Sequence, residues 1–130
     1  MQIIKRELTN VGNEKGTVYE VMNKHFGSYG FAIFYRESGT KGGHFHKGDD
    51  KSYDPQRIIM LQGKMKLRFT NLDGEVEEAI IEVGDYLEVP KMVFHEYECL
   101  EDCILLESRE QEYNTNNADS HSEEEFNSLK

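Results

Sequence analysis

Short runs in which apolar and polar residues alternate recur along most of this 130-residue chain. The clearest run is KMKLRF, where Met65, Leu67 and Phe69 lie on one side of an extended chain and the basic residues between them lie on the other. The NLDG that follows is typical of a tight turn, and EVEEAIIEV supplies a second strand. This pattern predicts a β-hairpin and limits the chain to folds in which strands enclose a shared core.

Further segments carry the same strand signals, because they are rich in β-branched and aromatic residues and end at glycine, aspartate or proline. They are TVYEVM, YGFAIFYRE, QRIIMLQ, DYLEVP, FHEYEC and CILLES. No stretch before Asn114 has the spacing of a long amphipathic helix. Apolar runs on both sides of Gly63 indicate strands covered on both faces, which favours a closed all-β barrel or jelly roll.

The composition excludes several classes of protein. A formal charge of -10 without clustered Lys or Arg argues against a nucleic-acid partner. No apolar run approaches the roughly 20 residues that cross a bilayer, and the first residues do not resemble a signal peptide, so we expect a cytoplasmic protein. Cys99 and Cys103 fit neither a disulfide framework nor a paired zinc-ligand pattern, and we expect reduced thiols.

The composition changes near residue 110. From there to the end the chain has six acidic residues, one lysine and almost no aliphatic residues. The net charge of this segment is half of the formal charge of -10. We therefore predict a single barrel domain over 1–110 and an acidic polar tail over 111–130. The tail is expected to be flexible or to form a short helix through SHSEEEFNSLK, where a serine precedes a glutamate by three residues and can act as a capping box.

Two histidines stand two residues apart in GGHFHK. On a strand, His44 and His46 point to the same face because side chains alternate, so two imidazoles converge on one point. A second pattern, GDYLEVPKMVFHEYEC, combines a turn at Gly84, a break at Pro90 and a third histidine, His95.

Together the two patterns resemble the motifs of the cupin superfamily over roughly residues 36–107. The first motif matches at His44, His46 and Gly63, with Gln56 in the place of the usual glutamate and a longer loop before it. The second matches at Gly84, Pro90 and His95. Two positions depart from it, with Met92 for the usual glycine and Cys99 for the usual asparagine. The resemblance implies a double-stranded β-helix, the cupin jelly-roll barrel, with His44, His46, Gln56 and His95 around one pocket.

In many cupins these four positions bind a divalent transition metal such as Fe, Mn, Ni or Zn. Imidazoles suit those ions, but Gln56 offers a neutral amide oxygen in place of a carboxylate, so the set lacks one negative charge. The chain is accordingly expected to need no cofactor, with a metal on His44, His46, Gln56 and His95 as the alternative. A buried, hydrogen-bonded histidine cluster without chemistry is a third interpretation.

A closer resemblance is to the sugar-nucleotide ketoisomerases and 3,5-epimerases, the RmlC-like cupins, on the evidence of KGGHFHK, Gln56 and the segment from VPKMVFHEYEC onward. It implies an isomerase or epimerase of a nucleotide-linked 4-keto-6-deoxy sugar that uses histidine acid and base catalysis. His44 is the expected base, and His46 the expected proton shuttle or electrophile. Gln56 and His95 are expected to donate to the developing oxyanion.

Other residues are expected to complete the site. Tyr97 is the candidate for the opposite acid, with Tyr35 as a second possibility. The cations expected to bind the diphosphate are Arg36, Lys41, Lys47 and Arg57. The loop KGDDKSYD is expected to be a lid over the pocket or a plain surface insertion.

Two other functions fit the same fold. One is a metal-dependent, dioxygenase-type cupin with its ion on His44, His46 and His95, and the other is a non-catalytic cupin that binds or sequesters a small anionic ligand. A homodimer is expected, with the N-terminal MQIIKREL as a strand that one subunit lends to the other.

Overall fold

The computed structural model describes residues 1–20, 29–113, 116 and 118–130. Within them the chain is built almost entirely of antiparallel strands. The strands are β1 Ile4–Glu7, β2 Thr9–Asn10, β3 Tyr19–Glu20, β4 Gly30–Arg36, β5 Lys41–His44, β6 Gln56–Gln62, β7 Lys64–Thr70, β8 Val76–Glu82, β9 Asp85–Val89, β10 Phe94–Cys99 and β11 Cys103–Arg109, followed by one helix, α1 Glu123–Ser128.

Two sheets form the body of the molecule. One has five strands in the order β1-β9-β6-β11-β4, and the other has four in the order β5-β10-β7-β8, while β2 and β3 form a separate pair. From β4 to β11 the chain changes sheet at every connection except the one between β7 and β8, as in a jelly roll. The main core includes Met65, Leu67 and Leu105, which come from both sheets. The predicted all-β jelly-roll class is confirmed.

The predicted hairpin is present as β7 and β8, which pair from Lys64↔Glu82 to Thr70↔Val76. Met65, Leu67 and Phe69 are buried, whereas Lys66 and Arg68 are exposed. Gly63, between β6 and β7, has a φ of 91°, and a Cβ there would collide with the carbonyl oxygen of Asp102. Both constraints require glycine at this turn.

The N-terminal strand differs from its expected role. β1 pairs with β9 of the same chain, from Ile4↔Glu88 to Glu7↔Asp85, and so extends its own sheet. The strand expected to be lent to a second subunit is therefore used within the chain, and the homodimer stays a prediction. Of the predicted strand TVYEVM, Tyr19–Glu20 forms β3, whereas residues 21–22 lie outside the described residues.

The end of the chain contacts the barrel. The expected short helix is present as α1, and the hydroxyl of its N-cap residue Ser122 accepts a hydrogen bond from the Glu125 amide. Phe126 on this helix is only 2% exposed and packs against Phe45 and Phe94. The helix is thus fixed by an aromatic contact of its own, while the domain boundary at residue 110 stays a prediction.

Shortening the side chain of Phe126 is expected to loosen this contact. Phe126→Leu should lower the free energy of unfolding by about 1 kcal/mol, because it removes buried apolar surface and leaves a small cavity. Leu129→Ala is the matched control, since Leu129 is 43% exposed and should change stability little. Urea unfolding measures both variants, and equal stabilities would show that the helix does not hold the tail to the barrel.

Two further expectations concern the cysteines and the membrane. Cys99 and Cys103 are free thiols and each is 1% exposed, which confirms that they do not form a disulfide. Among the described residues no helix has the length and apolar character needed to span a membrane.

Candidate active site

Three histidines meet at one end of the space between the two large sheets. His44 ends β5 and lies opposite His95 of β10 in the register of the four-stranded sheet. His46 lies beyond the end of β5, but Phe45 continues the extended chain by exchanging backbone hydrogen bonds with His121 of the tail. The alternation expected for a strand is preserved in this way, and both imidazoles enter the same cavity.

The three imidazoles form a compact triangle. The ring centroid of His44 lies 4.8 Å from that of His46 and 4.4 Å from that of His95. The centroids of His46 and His95 are 5.2 Å apart. His46 and His95 are 4% and 6% exposed. Three rings this close in a buried place cannot all carry charge without strong repulsion.

Burial therefore keeps the histidines neutral. It lowers the pKa of His44 from 6.5 to about 4, with smaller contributions from the nearby His46 and Arg36. Burial also lowers the pKa of His46, and it lowers that of His95 well below its ordinary value. At neutral pH the cluster offers imidazoles that can accept a proton.

His46 is held in one tautomer by the tail. Its Nδ1 lies 2.7 Å from the carbonyl oxygen of Asp119, which can only accept, so Nδ1 carries the hydrogen. The Nε2 atom is buried and has no hydrogen-bond partner. Tyr53 stacks on the ring with centroids 3.7 Å apart and 6° between the planes. The site thus presents a rigid ring with a bare acceptor nitrogen.

The remainder of the cavity is largely apolar. The side chains around it from both sheets are Phe34, Ile58, Met65, Leu67, Leu87, Val89 and Leu105. Its polar lining residues are Arg36, His44, His46, Tyr53, Gln56, His95, Tyr97, Glu107 and Tyr113. An apolar pocket with a few convergent polar groups is the usual form of a small-molecule site.

Gln56 lies at the cavity, and its amide is already bound on one side. Its Nε2 donates to Oε1 of Glu107 over 2.7 Å, whereas its own Oε1 is buried without a hydrogen-bond partner. The amide nitrogen has a second hydrogen, so the expected donation from Gln56 to an oxyanion stays a prediction. The unpaired Oε1 is an acceptor that a ligand can satisfy.

The candidate cations separate into one at the cavity and three beside carboxylates. Arg36 lines the cavity, and no carboxylate of the described residues forms an ion pair with it. The other three candidate cations form ion pairs, which are Lys41–Glu98 at 3.5 Å, Lys47–Glu125 at 2.7 Å and Arg57–Glu110 at 3.7 Å. The structure does not bring Lys47 or Arg57 to the cavity lining, because each side chain turns toward its acid.

Of the two tyrosines considered for the opposite acid, one lies at the cavity and the other does not. Tyr97 lines the cavity with its ring centroid 6.4 Å from that of His44, and a Cβ on Gly42 would lie 2.8 Å from its ring, so the glycine makes room for it. Tyr35 is 71% exposed and does not line the cavity, so the structure does not bring it to the histidines.

Sequence reasoning missed Tyr53, Glu107 and the link from the tail to His46. Tyr53 belongs to the long loop before Gln56, in which Asp50, Ser52 and Tyr53 are buried. The loop is thus not a plain surface insertion, while its role as a lid stays a prediction. The sequence offers one sign of the role of Tyr53, which is an aromatic residue among charged ones. Nothing in the neighbouring residues indicates which ring the tyrosine would stack on.

The histidines also form the one candidate metal group in the described part of the chain. The ligand atoms of His44, His46 and His95 lie within 4.8 Å of one another. Two nitrogens about 2.1 Å from one ion can be at most about 4.2 Å apart, so binding would need only small shifts. The bare Nε2 of His46 suits a metal, and the neutral Gln56 oxygen suits it less well.

No family model matches the chain, and no curated protein matches it. Solved structures do. A 3,4-ketoisomerase from Helicobacter canadensis is 18% identical, with a TM-score of 0.76 over 99% of this chain and 97% of that one. The 3,4-ketoisomerase QdtA from Thermoanaerobacterium thermosaccharolyticum, solved as a histidine-to-asparagine mutant with TDP-4-keto-6-deoxyglucose, is 18% identical, with a TM-score of 0.69 over 98% and 92%.

A third similar structure is the dTDP-4-dehydrorhamnose 3,5-epimerase from Elizabethkingia anophelis, which is 19% identical, with a TM-score of 0.67 over 88% of this chain and 72% of that one. At such identities the likeness shows the fold. The chain has the RmlC-like cupin fold that these ketoisomerases and epimerases share.

Proposed function

We propose that the protein is an isomerase of a nucleotide-linked 4-keto-6-deoxy sugar that works by histidine acid and base catalysis. The observation that carries the proposal is the trio of neutral imidazoles, two of them buried and one with a bare Nε2, that line one cavity. The shared fold, and the keto sugar bound to one of the similar ketoisomerases, support the choice of substrate class.

His44 acts as the base in this proposal. Moving a ketone to the neighbouring carbon begins with loss of the proton on that neighbouring carbon, which gives an enediolate. A neutral ring nitrogen of His44 accepts this proton and returns it to the former carbonyl carbon. Its lowered pKa keeps His44 ready to accept at neutral pH, although it also weakens the base.

His46 moves the second proton. The hydroxyl beside the ketone must lose its hydrogen, and the former carbonyl oxygen must gain one. The bare Nε2 of His46 can accept the hydrogen of this hydroxyl and then donate it to the former carbonyl oxygen. While His46 carries the extra proton, the hydrogen bond from its Nδ1 to the carbonyl oxygen of Asp119 stabilises the positive charge of the ring. The two transfers leave every atom and electron accounted for, and neither needs a cofactor.

The other cavity residues have supporting roles. Nδ1 of His95 donates to the carbonyl oxygen of Val93 over 3.2 Å, so Nε2 of this neutral ring can accept a hydrogen bond from a hydroxyl of the enediol. Tyr97 is the candidate for the opposite acid. Arg36, which lines the cavity, is the candidate for binding a phosphate oxygen of the nucleotide.

Incubation with TDP-4-keto-6-deoxyglucose tests the function directly. Proton NMR should show the ketone moving to carbon 3 while the stereochemistry at carbon 5 is retained. Inversion at carbons 3 and 5 without movement of the ketone would identify an epimerase. Tight binding of the sugar nucleotide without any conversion would favour the non-catalytic binding protein.

Removal of the cavity cation is expected to weaken binding more than turnover. Arg36→Ala should raise the KM for the TDP-linked sugar about ten- to a hundredfold and change kcat little, because a charge-assisted contact to phosphate is lost. Lys41→Ala is the control, since Lys41 is exposed and pairs with Glu98. A KM unchanged by Arg36→Ala would place the diphosphate elsewhere.

The geometry of the histidines favours one second candidate, a metal-dependent cupin. His44, His46 and His95 would hold the ion, which would supply Lewis acidity or redox chemistry when bound. Metal analysis of untagged protein purified without chelator, beside a His44→Ala, His95→Ala double variant, distinguishes the candidates. A stoichiometric transition metal that disappears in the double variant would favour this second function.

A further inference from the structure

The amide of Gln56 is fixed by a buried carboxylate. Gln56 is 9% exposed and lines the cavity, and its Nε2 donates to Oε1 of Glu107 over 2.7 Å. Its Oε1 is buried and has no hydrogen-bond partner. Burial of a polar atom without a partner is costly, so a donor from a ligand or a water is expected at this oxygen.

Glu107 is held in turn from the other side. It is 1% exposed, and its Oε2 accepts a hydrogen bond from Nη1 of Arg109 at 3.0 Å. The same guanidinium donates from Nη2 to Asp50 at 2.6 Å. Arg109 is itself 1% exposed, so the chain from Gln56 to Asp50 runs entirely inside the protein.

This chain of hydrogen bonds fixes which end of the Gln56 amide faces Glu107. Both oxygens of Glu107 accept hydrogen bonds, which suits the ionised carboxylate. Burial raises the pKa of Glu107, but the hydrogen bond from Gln56 and the Arg109 guanidinium oppose that rise. If the amide turned round, the oxygen of Gln56 would face a carboxylate oxygen, and two acceptors repel each other. The orientation is thus imposed by Glu107.

We propose that Glu107 is a positioning residue that keeps the amide oxygen of Gln56 unpaired and ready to accept a hydrogen bond from the ligand, and that this oxygen selects a sugar with a free hydroxyl at that point. The inference rests on the proposed function and names the feature of the substrate that the site requires. A hydroxyl can donate to Gln56, whereas a ketone, an ether or a phosphate oxygen cannot.

The selected hydroxyl is distinct from the hydroxyl that reacts. In the proposed mechanism the hydroxyl beside the ketone gives its single hydrogen to His46, so another hydroxyl of the same sugar donates to Gln56, which lines the same cavity. A sugar without this hydroxyl would leave the amide oxygen buried and unpaired, so the site would reject it.

Binding of unreactive sugars tests the inference without turnover. Titration calorimetry would compare TDP-glucose with its 2-deoxy, 3-deoxy and 4-deoxy derivatives, with TDP alone as the reference. For the unmodified protein, one deoxy derivative should bind about ten- to a hundredfold more weakly than TDP-glucose. Gln56→Met removes the acceptor and should reduce that penalty to about twofold, while binding of TDP is unchanged.

Glu107→Gln tests the positioning role. It keeps the shape but removes the charge that orients Gln56, so the penalty for the deoxy sugar should fall severalfold although Gln56 is present. In NMR spectra, the Gln56 side-chain amide proton should resonate downfield in the unmodified protein and move upfield in this variant. A purely structural role for Glu107 would change neither the ratio of affinities nor this resonance.

Three results would overturn the inference in distinguishable ways. Equal binding of every deoxy derivative by the unmodified protein would show that Gln56 selects no hydroxyl, while the proposed function survives. The loss of affinity for the deoxy sugar could disappear in Gln56→Met but persist in Glu107→Gln, with the Gln56 amide resonance unmoved. That result would show that Glu107 does not position Gln56. Failure of the unmodified protein to bind TDP-glucose or TDP would overturn the proposed function, and this inference with it.

Discussion

Replacement of His44 by asparagine is expected to lower kcat for isomerisation by about a thousandfold and to leave the fold intact. Asparagine is similar in size and polarity but cannot accept the carbon-bound proton, and general base catalysis contributes about a hundred- to ten-thousandfold to such reactions. His44 is only partly buried, so the exchange should be tolerated. Conversion of TDP-4-keto-6-deoxyglucose, followed by NMR, measures the loss.

Two comparisons make this result specific. Tyr35→Phe alters an exposed side chain outside the cavity and should retain full activity. Binding of TDP to His44→Asn should match the unmodified protein, since the nucleotide is expected to contact Arg36 and not the base. If His44→Asn retained more than about a tenth of the activity, His44 could not be the base.

The second expected result is a steep loss of stability in acid, measured on chelator-treated protein. The pKa of His44 falls from 6.5 to about 4 on folding, so between those pH values the unfolded chain binds a proton that the folded chain does not. The free energy of unfolding should therefore decrease as the pH falls from 6.5 toward 4. The decrease is about 1.4 kcal/mol per pH unit for each histidine that stays neutral, and burial also lowers the pKa of His46 and His95.

Urea unfolding at pH 7, 6 and 5 measures this slope, and His44→Asn separates the histidines from the carboxylates. The variant lacks one of the three protonation sites, so its stability should fall less steeply, by about 1.4 kcal/mol per pH unit. Parallel curves for the two proteins would mean that His44 has an ordinary pKa in the folded state, and the neutral cluster would have to be abandoned.

Patterns local in sequence were sufficient to predict most of the fold. Alternation in KMKLRF specified which side of β7 is buried, and Gly63 marked a turn that admits only glycine. The spacing of His44, His46 and His95 placed the three rings in one cavity, because strand periodicity and the fold of similar cupins fix where each one points. These features depend on a few adjacent residues or on a shared motif.

Features that depend on contacts between distant residues could not be predicted. The orientation of Gln56 is set by Glu107, which lies 51 residues away, and the tautomer of His46 is set by Asp119, which lies 73 residues away. Likewise, the acidic tail appears only charged and polar in the sequence, but it contacts the barrel through the buried ring of Phe126 and through hydrogen bonds of Asp119 and His121. Composition alone gives no sign of such partners.

The central claim is that neutral histidines move the protons without a metal. The most direct test measures isomerisation of TDP-4-keto-6-deoxyglucose by chelator-treated protein, with the metal content of the same sample determined by mass spectrometry. Turnover is expected to be unchanged when the sample holds less than about one metal ion per ten chains. Turnover that disappears with the metal and returns in proportion to one added divalent ion per chain would contradict it.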